Sequence, residues 1–180
     1  MILPEPADCA AAAASAVPPA PPTLTVVGRE RVEADARRRG LDVELVERPA
    51  ADSLEAAAVL LGIPPERIVK SLVVKRSGGS YLFALIPGDR QIAWPKLRAA
   101  VGVNKLQLPS ADAALEATGY ERGTITPLGS TTAWPVFADE RIAGRIAMGA
   151  GEHGYSAFVD AAALIAALGA TVADVSIEGR

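Results

Sequence analysis

Residues 67–89 contain the feature that most limits the fold, two apolar segments joined by a short turn. The segments "RIVKSLVVK" and "SYLFALIPGD" are rich in Ile, Val, Leu and aromatic residues, and "SGGS" between them supplies the glycines of a tight turn. A hairpin of this kind pairs neighbouring strands antiparallel. We therefore predict a mixed or antiparallel sheet rather than a doubly wound parallel one.

The rest of the chain alternates between helical and extended patterns. Gly40 ends the first predicted helix, and Asp52 or Ser53 and Gly62 cap the second. The predicted helices are "GRERVEADARRRG", "DSLEAAAVLLGIPP", "PKLRAAVG", "SADAALEATG" and a closing "DAAALIAALGA". The other predicted strands are "LDVELVE", "WPVFAD", "RIAMGA" and "YSAFV". The predicted fold class is α+β, with a mixed or antiparallel sheet.

Lys70 occupies an unexpected position in the first strand of the hairpin. Strand alternation places it on the same face as Ile68, Leu72 and Val74. An ammonium among apolar side chains costs several kcal/mol, by rough reckoning, unless a partner or ligand compensates it. Periodicity alone favours an interpretation in which the aliphatic stem of Lys70 packs against the apolar side chains while its ammonium reaches water. The alternative is that Lys70 belongs to a ligand-binding or catalytic site.

Composition predicts one domain with short appendages. The Ala/Pro-rich residues 1–26 are predicted to be a disordered leader, and residues 27–176 the single domain. Residues 177–180, "IEGR", match a protease site used in protein expression, by chance or as an added tail. No apolar run has the roughly 18 to 20 residues of a membrane span. The lone Cys9 and His153 leave no zinc cluster and favour a cytoplasmic protein, and we predict no cofactor.

Positive charge is concentrated in one part of an acidic chain. The formal net charge is −3, yet residues 67–105 carry eight basic residues and one acidic residue. Two interpretations stay open: a set of solvated loop ends, or a binding surface for a polyanion. The basic residues are Arg67, Lys70, Lys75, Arg76, Arg90, Lys96, Arg98 and Lys105.

Two glycine-rich segments could bring backbone close to a ligand. They are "TGYERGTITPLG" at 118–129 and "MGAGEHGYS" at 148–156. The chain has no phosphate loop, no dinucleotide fingerprint and no nucleophile elbow. By composition alone, each segment is more often a connector than a site.

Five segments of the chain carry a resemblance to a known family. The segments are "IVKSLVVK", "YLFALIPGDRQIAWPKLRAAVGVNKLQL", "TGYERGTITPLG", "PVFADE" and "GAGEHG". Taken in order, they resemble the YbaK-type domain of trans-acting aminoacyl-tRNA deacylases. These proteins are relatives of the editing domain inserted in bacterial prolyl-tRNA synthetases. The resemblance runs from about residue 27 to 170. It implies a curved, mixed β-sheet that closes toward a barrel, with helices around it.

The resemblance also implies a site for the aminoacyl group and terminal adenosine of a tRNA. The family's lysine falls on Lys70, which would be catalytic. The implied substrate-binding residues are Ser71, Gly123, Thr126, Pro127, Leu128, Gly129, Gly149, Gly151, His153, Gly154 and Ser156.

An aminoacyl-tRNA is an activated ester, so its hydrolysis depends mainly on positioning and on stabilising developing negative charge. Loop amides and Lys70 would supply that stabilisation, and the nucleophile would be water or a group of the substrate. The implied function is an editing hydrolase, of a tRNA-Pro type with a small amino acid, with prolyl-tRNA synthetase as a candidate partner. The sequence departs from related family members at three places: the segment "VERPAADS", Ser156 and the position of His153. These departures leave open which amino acid is removed from the tRNA.

Two other functions remain compatible with the sequence. A non-catalytic module could dock on a synthetase or on nucleic acid through the basic stretch. An enzyme could also act on a small free aminoacyl ester.

Overall fold

The structure is a computed structural model that describes residues 28–179. The predicted leader over residues 1–26, with Cys9, lies outside this range. Along the described residues, no helix combines the length and apolar character that crossing a membrane requires. The helices are α1 (Gly28–Arg38), α2 (Leu54–Leu61), α3 (Trp94–Val101), α4 (Ala111–Thr118) and α5 (Ala161–Leu168), with a 3₁₀ turn at Pro65–Arg67. The strands are β1 (Val43–Glu47), β2 (Val69–Arg76), β3 (Tyr81–Pro87), β4 (Arg90–Ile92), β5 (Leu106–Gln107), β6 (Val136–Asp139), β7 (Arg145–Gly149), β8 (Tyr155–Asp160), β9 (Thr171–Ala173) and β10 (Ser176–Glu178).

The predicted hairpin forms the centre of the largest sheet. Strands β2 and β3 pair antiparallel, and the five strands lie in the order β5-β2-β3-β6-β9. The β3–β6 and β6–β9 pairs are parallel, so this sheet is mixed. The predicted fold class is confirmed.

Two smaller antiparallel sheets complete the fold, with orders β1-β8-β7 and β10-β4. A single parallel bridge between Ile68 and Ala147 connects β7 to the start of β2. The described strands therefore form three sheets rather than one closed ring, and the bridge joins β7 to the main sheet next to the start of β2.

Both faces of the main sheet are covered, and strand alternation divides its side chains between two cores. Val69 and Val73 of β2 enter the larger core, which α1, α5, β7 and β8 complete. Val74, one residue later, enters the smaller core with Leu97 of α3. Lys70 has the parity of Leu72 and Val74, which both pack in the smaller core, whereas the third predicted neighbour, Ile68, lies before β2.

The predicted ends of α2 are also confirmed. The Ser53 hydroxyl accepts a hydrogen bond from the Ala56 amide, which makes Ser53 the N-cap. Gly62 ends the helix at φ 65°, in the left-handed region that glycine favours.

The prediction that α5 closes the fold is wrong. After α5 the chain adds β9 to the main sheet and β10 to β4. Strand β10 reaches Glu178, two residues beyond the predicted end of the domain. Strands β4, β5, β9 and β10 have two or three residues each, too few to show a period of two in the sequence.

Candidate active site

A cavity of about 400 Å³ lies between β2 and β7. These two strands meet at the Ile68–Ala147 bridge and are not paired beyond it. Residues of α2 and the segments around Leu108 and Gly123 close the remaining sides. The lining residues are Arg48, Ala57, Leu61, Ile68, Val69, Lys70, Ser71, Leu72, Val73, Leu108, Pro109, Ala114, Arg122, Gly123, Ile125, Ala147, Met148, Gly149, Tyr155 and Ser156.

One wall of the cavity is the open edge of β2. In an antiparallel pair, alternate residues direct their backbone groups toward the partner strand. The Arg76 amide donates to the Ser80 carbonyl, so the even-numbered residues of β2 bond to β3. The backbone N–H and C=O groups of Ser71 and Val73 therefore point away from β3. Strand β5 covers that edge only from Lys75 onward, which leaves four backbone groups directed at the cavity.

The hydroxyl of Ser71 is buried and has no hydrogen-bond partner within the described part of the chain. Buried polar atoms in proteins nearly always have a partner, so this hydroxyl is available to bond to a water or to a group of a bound ligand. Ser71 was predicted to bind substrate, and it lies on the cavity wall.

Lys70 lies beside Ser71 in the cavity wall, but its ammonium is turned to the β3–β4 turn. The Nζ atom donates to the carbonyl oxygens of Gly88, at 3.0 Å, and of Arg90. Burial lowers the pKa of Lys70, and the negative charges of Asp89 and Glu55 oppose that shift without cancelling it. The ammonium is thus partly desolvated and held by neutral acceptors.

Gly149 allows β7 to touch the loop that carries Gly123. A Cβ atom at Gly149 would lie 2.7 Å from the Thr124 carbonyl oxygen and closer still to that of Ile125. Glycine is therefore required here for close approach. Gly123 and Gly149, which the resemblance assigned to substrate binding, both line the cavity.

The later half of the predicted glycine loop is anchored to α1 instead of lining the cavity. Thr126 and Leu128 are buried, and the Leu128 carbonyl accepts a hydrogen bond from the Tyr120 hydroxyl at 2.8 Å. The Gly129 amide donates to Asp35 of α1 at 2.9 Å. Pro127 lines a separate hollow beside Trp134. These residues hold the loop in place, and any contact they make with a substrate stays a prediction.

The Asp35 carboxylate should be the main support of this anchor. Replacing Asp35 by alanine leaves the Gly129 amide without its acceptor and should lower the free energy of unfolding by about 2–3 kcal/mol. Asp35→Asn, which keeps an acceptor oxygen, should cost less. Urea unfolding of both variants measures the difference, and equal stability of wild type and Asp35→Ala would contradict the anchoring role.

The same carboxylate makes stability depend on pH. Burial alone would raise the pKa of Asp35, but the hydrogen bond from Gly129 and the charges of Arg39 and Arg38 outweigh it and lower the pKa. Its contribution is therefore complete above the ordinary carboxyl pKa of about 4 and is lost as the pH falls through the lowered value. Asp35→Asn should remove this part of the acid sensitivity.

The second predicted loop is divided in the same way. The Gly151 amide donates to the Thr124 carbonyl, and the Gly154 carbonyl accepts from the Arg48 amide. His153 is exposed, with Nε2 3.1 Å from a carboxylate oxygen of Glu121. Of the predicted residues in this loop, Gly149 and Ser156 line the cavity, whereas Gly151, His153 and Gly154 support it from outside.

The sequence prediction missed two arginines that line the cavity. Arg48 donates from Nε to the Ser156 hydroxyl at 2.9 Å, and Arg122 donates to the Pro109 carbonyl at 3.3 Å. Arg48 follows the last residue of β1 and Arg122 precedes Gly123, and strand ends and glycine loops are common positions for binding residues. These two positions in the sequence could have identified Arg48 and Arg122 as candidate binding residues.

The charge of the cavity is one-sided. Arg48, Lys70 and Arg122 line it, and its described lining contains no aspartate or glutamate. No group of three or more His, Cys, Asp or Glu side chains that could hold a metal ion occurs among residues 28–179. Such a cavity can bind an anion and stabilise a developing negative charge with cations and backbone amides.

Comparison with known proteins agrees with this geometry. Residues 48–167 match the aminoacyl-tRNA editing domain family. The chain is 39% identical over 88 residues to a proline–tRNA ligase of Thermosipho africanus and 33% identical over 112 residues to that of Lactobacillus gasseri. These stretches span 49% and 61% of this chain, but only 16% and 20% of the ligases.

A solved structure extends the likeness to most of the described residues. A protein proposed to be a trans-editing enzyme for prolyl tRNA synthetase superposes with a TM-score of 0.77 at 27% identity, covering 83% of this chain and 97% of its own. The family match alone covers more than half of the chain and includes both walls of the cavity. The chain therefore belongs to the aminoacyl-tRNA editing domain family.

Proposed function

We propose that the protein is a trans-acting deacylase that hydrolyses the ester of a mischarged tRNA, of the kind that prolyl-tRNA synthetase produces. The observation that carries this proposal is the cavity between β2 and β7, which is lined by three basic residues, no carboxylate and the open edge of a strand. A carbonyl carbon held there would lie next to donors for the oxygen that becomes negative. The same proposal places the protein in the cytoplasm.

The reaction needs only water as a second reactant. Water adds to the ester carbonyl, the bond from the acyl carbon to the ribose oxygen breaks, and that oxygen takes one proton of the water while the other proton passes to solvent. The amino acid leaves as a carboxylate. The described cavity lining contains no histidine, cysteine or carboxylate to act as base, which favours a water or a hydroxyl or side chain of the substrate itself as nucleophile.

Each polar group of the cavity has a proposed role. The backbone amides of Ser71 and Val73, with the Ser71 hydroxyl, would hold the aminoacyl group. Lys70 would stabilise the oxyanion once its ammonium turns from the Gly88 and Arg90 carbonyls toward the cavity. Arg48 and Arg122 would bind phosphate or ribose oxygens at the 3′ end of the RNA.

The size of the cavity favours a small amino acid. A volume of about 400 Å³ is near the lower end of ligand sites, and part of it must hold the terminal nucleoside. Ala57, Val73 and Ala147 make the walls short and apolar. We propose that a small aliphatic amino acid is removed.

A deacylation panel tests this function. Wild-type protein should release the amino acid from one or more misacylated tRNAs with small side chains, and should leave correctly charged tRNA intact. The variant that tests the site is Ser71→Leu, which fills the cavity and removes a hydroxyl that lacks a partner, so it should fold while losing at least about tenfold in activity. If wild type and Ser71→Leu release the amino acid at equal rates, the reaction does not take place in the cavity between β2 and β7. No release from any charged tRNA would overturn the function and favour a binding module.

A further inference from the structure

The basic stretch at residues 67–105 contains residues that are engaged within the protein and residues that are not. Arg67 and Lys70 donate to backbone carbonyls, Arg90 to the Ser176 hydroxyl, and Lys96 to Asp174. Within the described residues, the other four form no ion pair or side-chain hydrogen bond. These four are Lys75, Arg76, Arg98 and Lys105.

Two of the unengaged lysines lie at the β2–β5 pair, one within β2 and one directly before β5. Lys75 lies opposite Gln107, and Lys105 precedes Gln107 by two residues. Both lysines therefore lie at the same end of this strand pair. Like charges close to each other repel, and an anion bound between them would offset that repulsion.

This pair of lysines is continuous with the cavity. Lys75 shares a face of β2 with Ser71 and follows it by four residues, a distance of about 13 Å along the strand. Arg122, at the cavity wall, donates to the Pro109 carbonyl, two residues beyond Gln107. The cations thus follow β5 from the cavity outward. We call Lys75, Lys105 and Arg122 the basic track.

Few acidic groups oppose this charge. Glu121, next to Arg122 in the sequence, has a carboxylate oxygen 3.1 Å from the His153 ring. Asp112 and Glu116, both on α4, are the other carboxylates close to the track in sequence. The track therefore keeps a positive charge in a protein whose net charge is −3.

We propose that the basic track binds the phosphodiester backbone of the tRNA acceptor end and guides its 3′ end into the cavity. The inference rests on the proposed function, because the cavity must receive an RNA terminus for the track to matter. Lysine ammonium groups bind phosphates as point charges without selecting a sequence, which suits a surface that holds the backbone rather than the bases.

The experiment compares two substrates that share the ester and differ in length. One is the misacylated tRNA that wild type cleaves best, and the other is adenosine carrying the same aminoacyl ester. Lys75→Gln and Lys105→Gln are measured singly and together. Arg37→Gln is the charge-matched control, since Arg37 is exposed on α1 and does not line the cavity.

The double variant should raise the KM for tRNA about tenfold with unchanged kcat, and should cleave the adenosine ester like wild type. The affinity for uncharged tRNA should also depend less on salt. Each lysine removed should reduce the magnitude of the slope of log affinity against log salt concentration by about 0.7 to 0.9. Arg37→Gln should change neither quantity.

The outcomes separate this inference from the proposed function. If wild type cleaves neither substrate, the function itself fails. If wild type cleaves both and the double variant has the same KM and salt slope for tRNA, the track is overturned and an acidic protein partner becomes the better occupant of this surface. Loss of activity on the adenosine ester in the double variant would also overturn it, because the lysines would then act within the cavity.

Discussion

Lys70→Met is expected to lower the kcat for deacylation by about 10²- to 10³-fold, the loss typical of removing one donor from a developing oxyanion. Methionine keeps an apolar stem of similar length and removes only the ammonium. The carbonyls of Gly88 and Arg90 lose their donor, so the variant should also lose about 1–3 kcal/mol of stability. Single-turnover kinetics with a misacylated tRNA and a thermal melt measure the two effects separately.

Lys70 should make deacylation activity and folding stability depend on pH in opposite directions. Burial lowers the pKa of Lys70, so activity that needs the ammonium should fall as the pH rises through that lowered value. Over the same range the lysine makes the folded state more stable as the pH rises, because the unfolded chain then binds more protons at this group. Lys70→Met should remove both trends relative to wild type, after spontaneous ester hydrolysis is subtracted. A folded Lys70→Met protein with wild-type kcat would remove Lys70 from the mechanism.

Gly149→Ala is expected to abolish measurable deacylation and to lower the free energy of unfolding by about 1–3 kcal/mol. The added Cβ would collide with the carbonyls of Thr124 and Ile125, which are backbone atoms and cannot rotate away. The loop that carries Gly123 must therefore move away from β7 and change the shape of the cavity. Activity assays and urea unfolding on the same preparation measure both losses.

Gly40→Ala is the matched control for that prediction. Gly40 has φ 67°, and a Cβ atom added there would meet no other heavy atom within 4 Å. Alanine at this position therefore meets only backbone strain, of about 1–2 kcal/mol. Gly40→Ala should lose a similar amount of stability and keep its activity. Equal activity of the two alanine variants would show that the contact between β7 and the loop is not needed.

Local patterns were sufficient to predict most elements of the fold. The hairpin, the caps of α2 and the face of Lys70 follow from turn residues, a capping hydroxyl and a period of two, and all three are interactions between residues close in sequence. The ordered motifs added the family, which the match over residues 48–167 confirms. The short strands β9 and β10 were missed because pairing partners, rather than their own residues, define them.

The composition of the cavity depended on contacts between distant segments. Arg48 and Arg122 come from opposite parts of the chain, and only the packing of β1, β8 and the glycine loop brings both to one cavity. Tertiary packing likewise anchored residues 126–129 to α1, and ended β5 so that Ser71 and Val73 remain unpaired. Sequence by itself determined which residues can form a strand, a turn or a cap, because those choices depend on neighbours a few residues away. Only the tertiary structure decided which backbone groups stay open and which charges stay unpaired, because both depend on what the rest of the chain leaves uncovered.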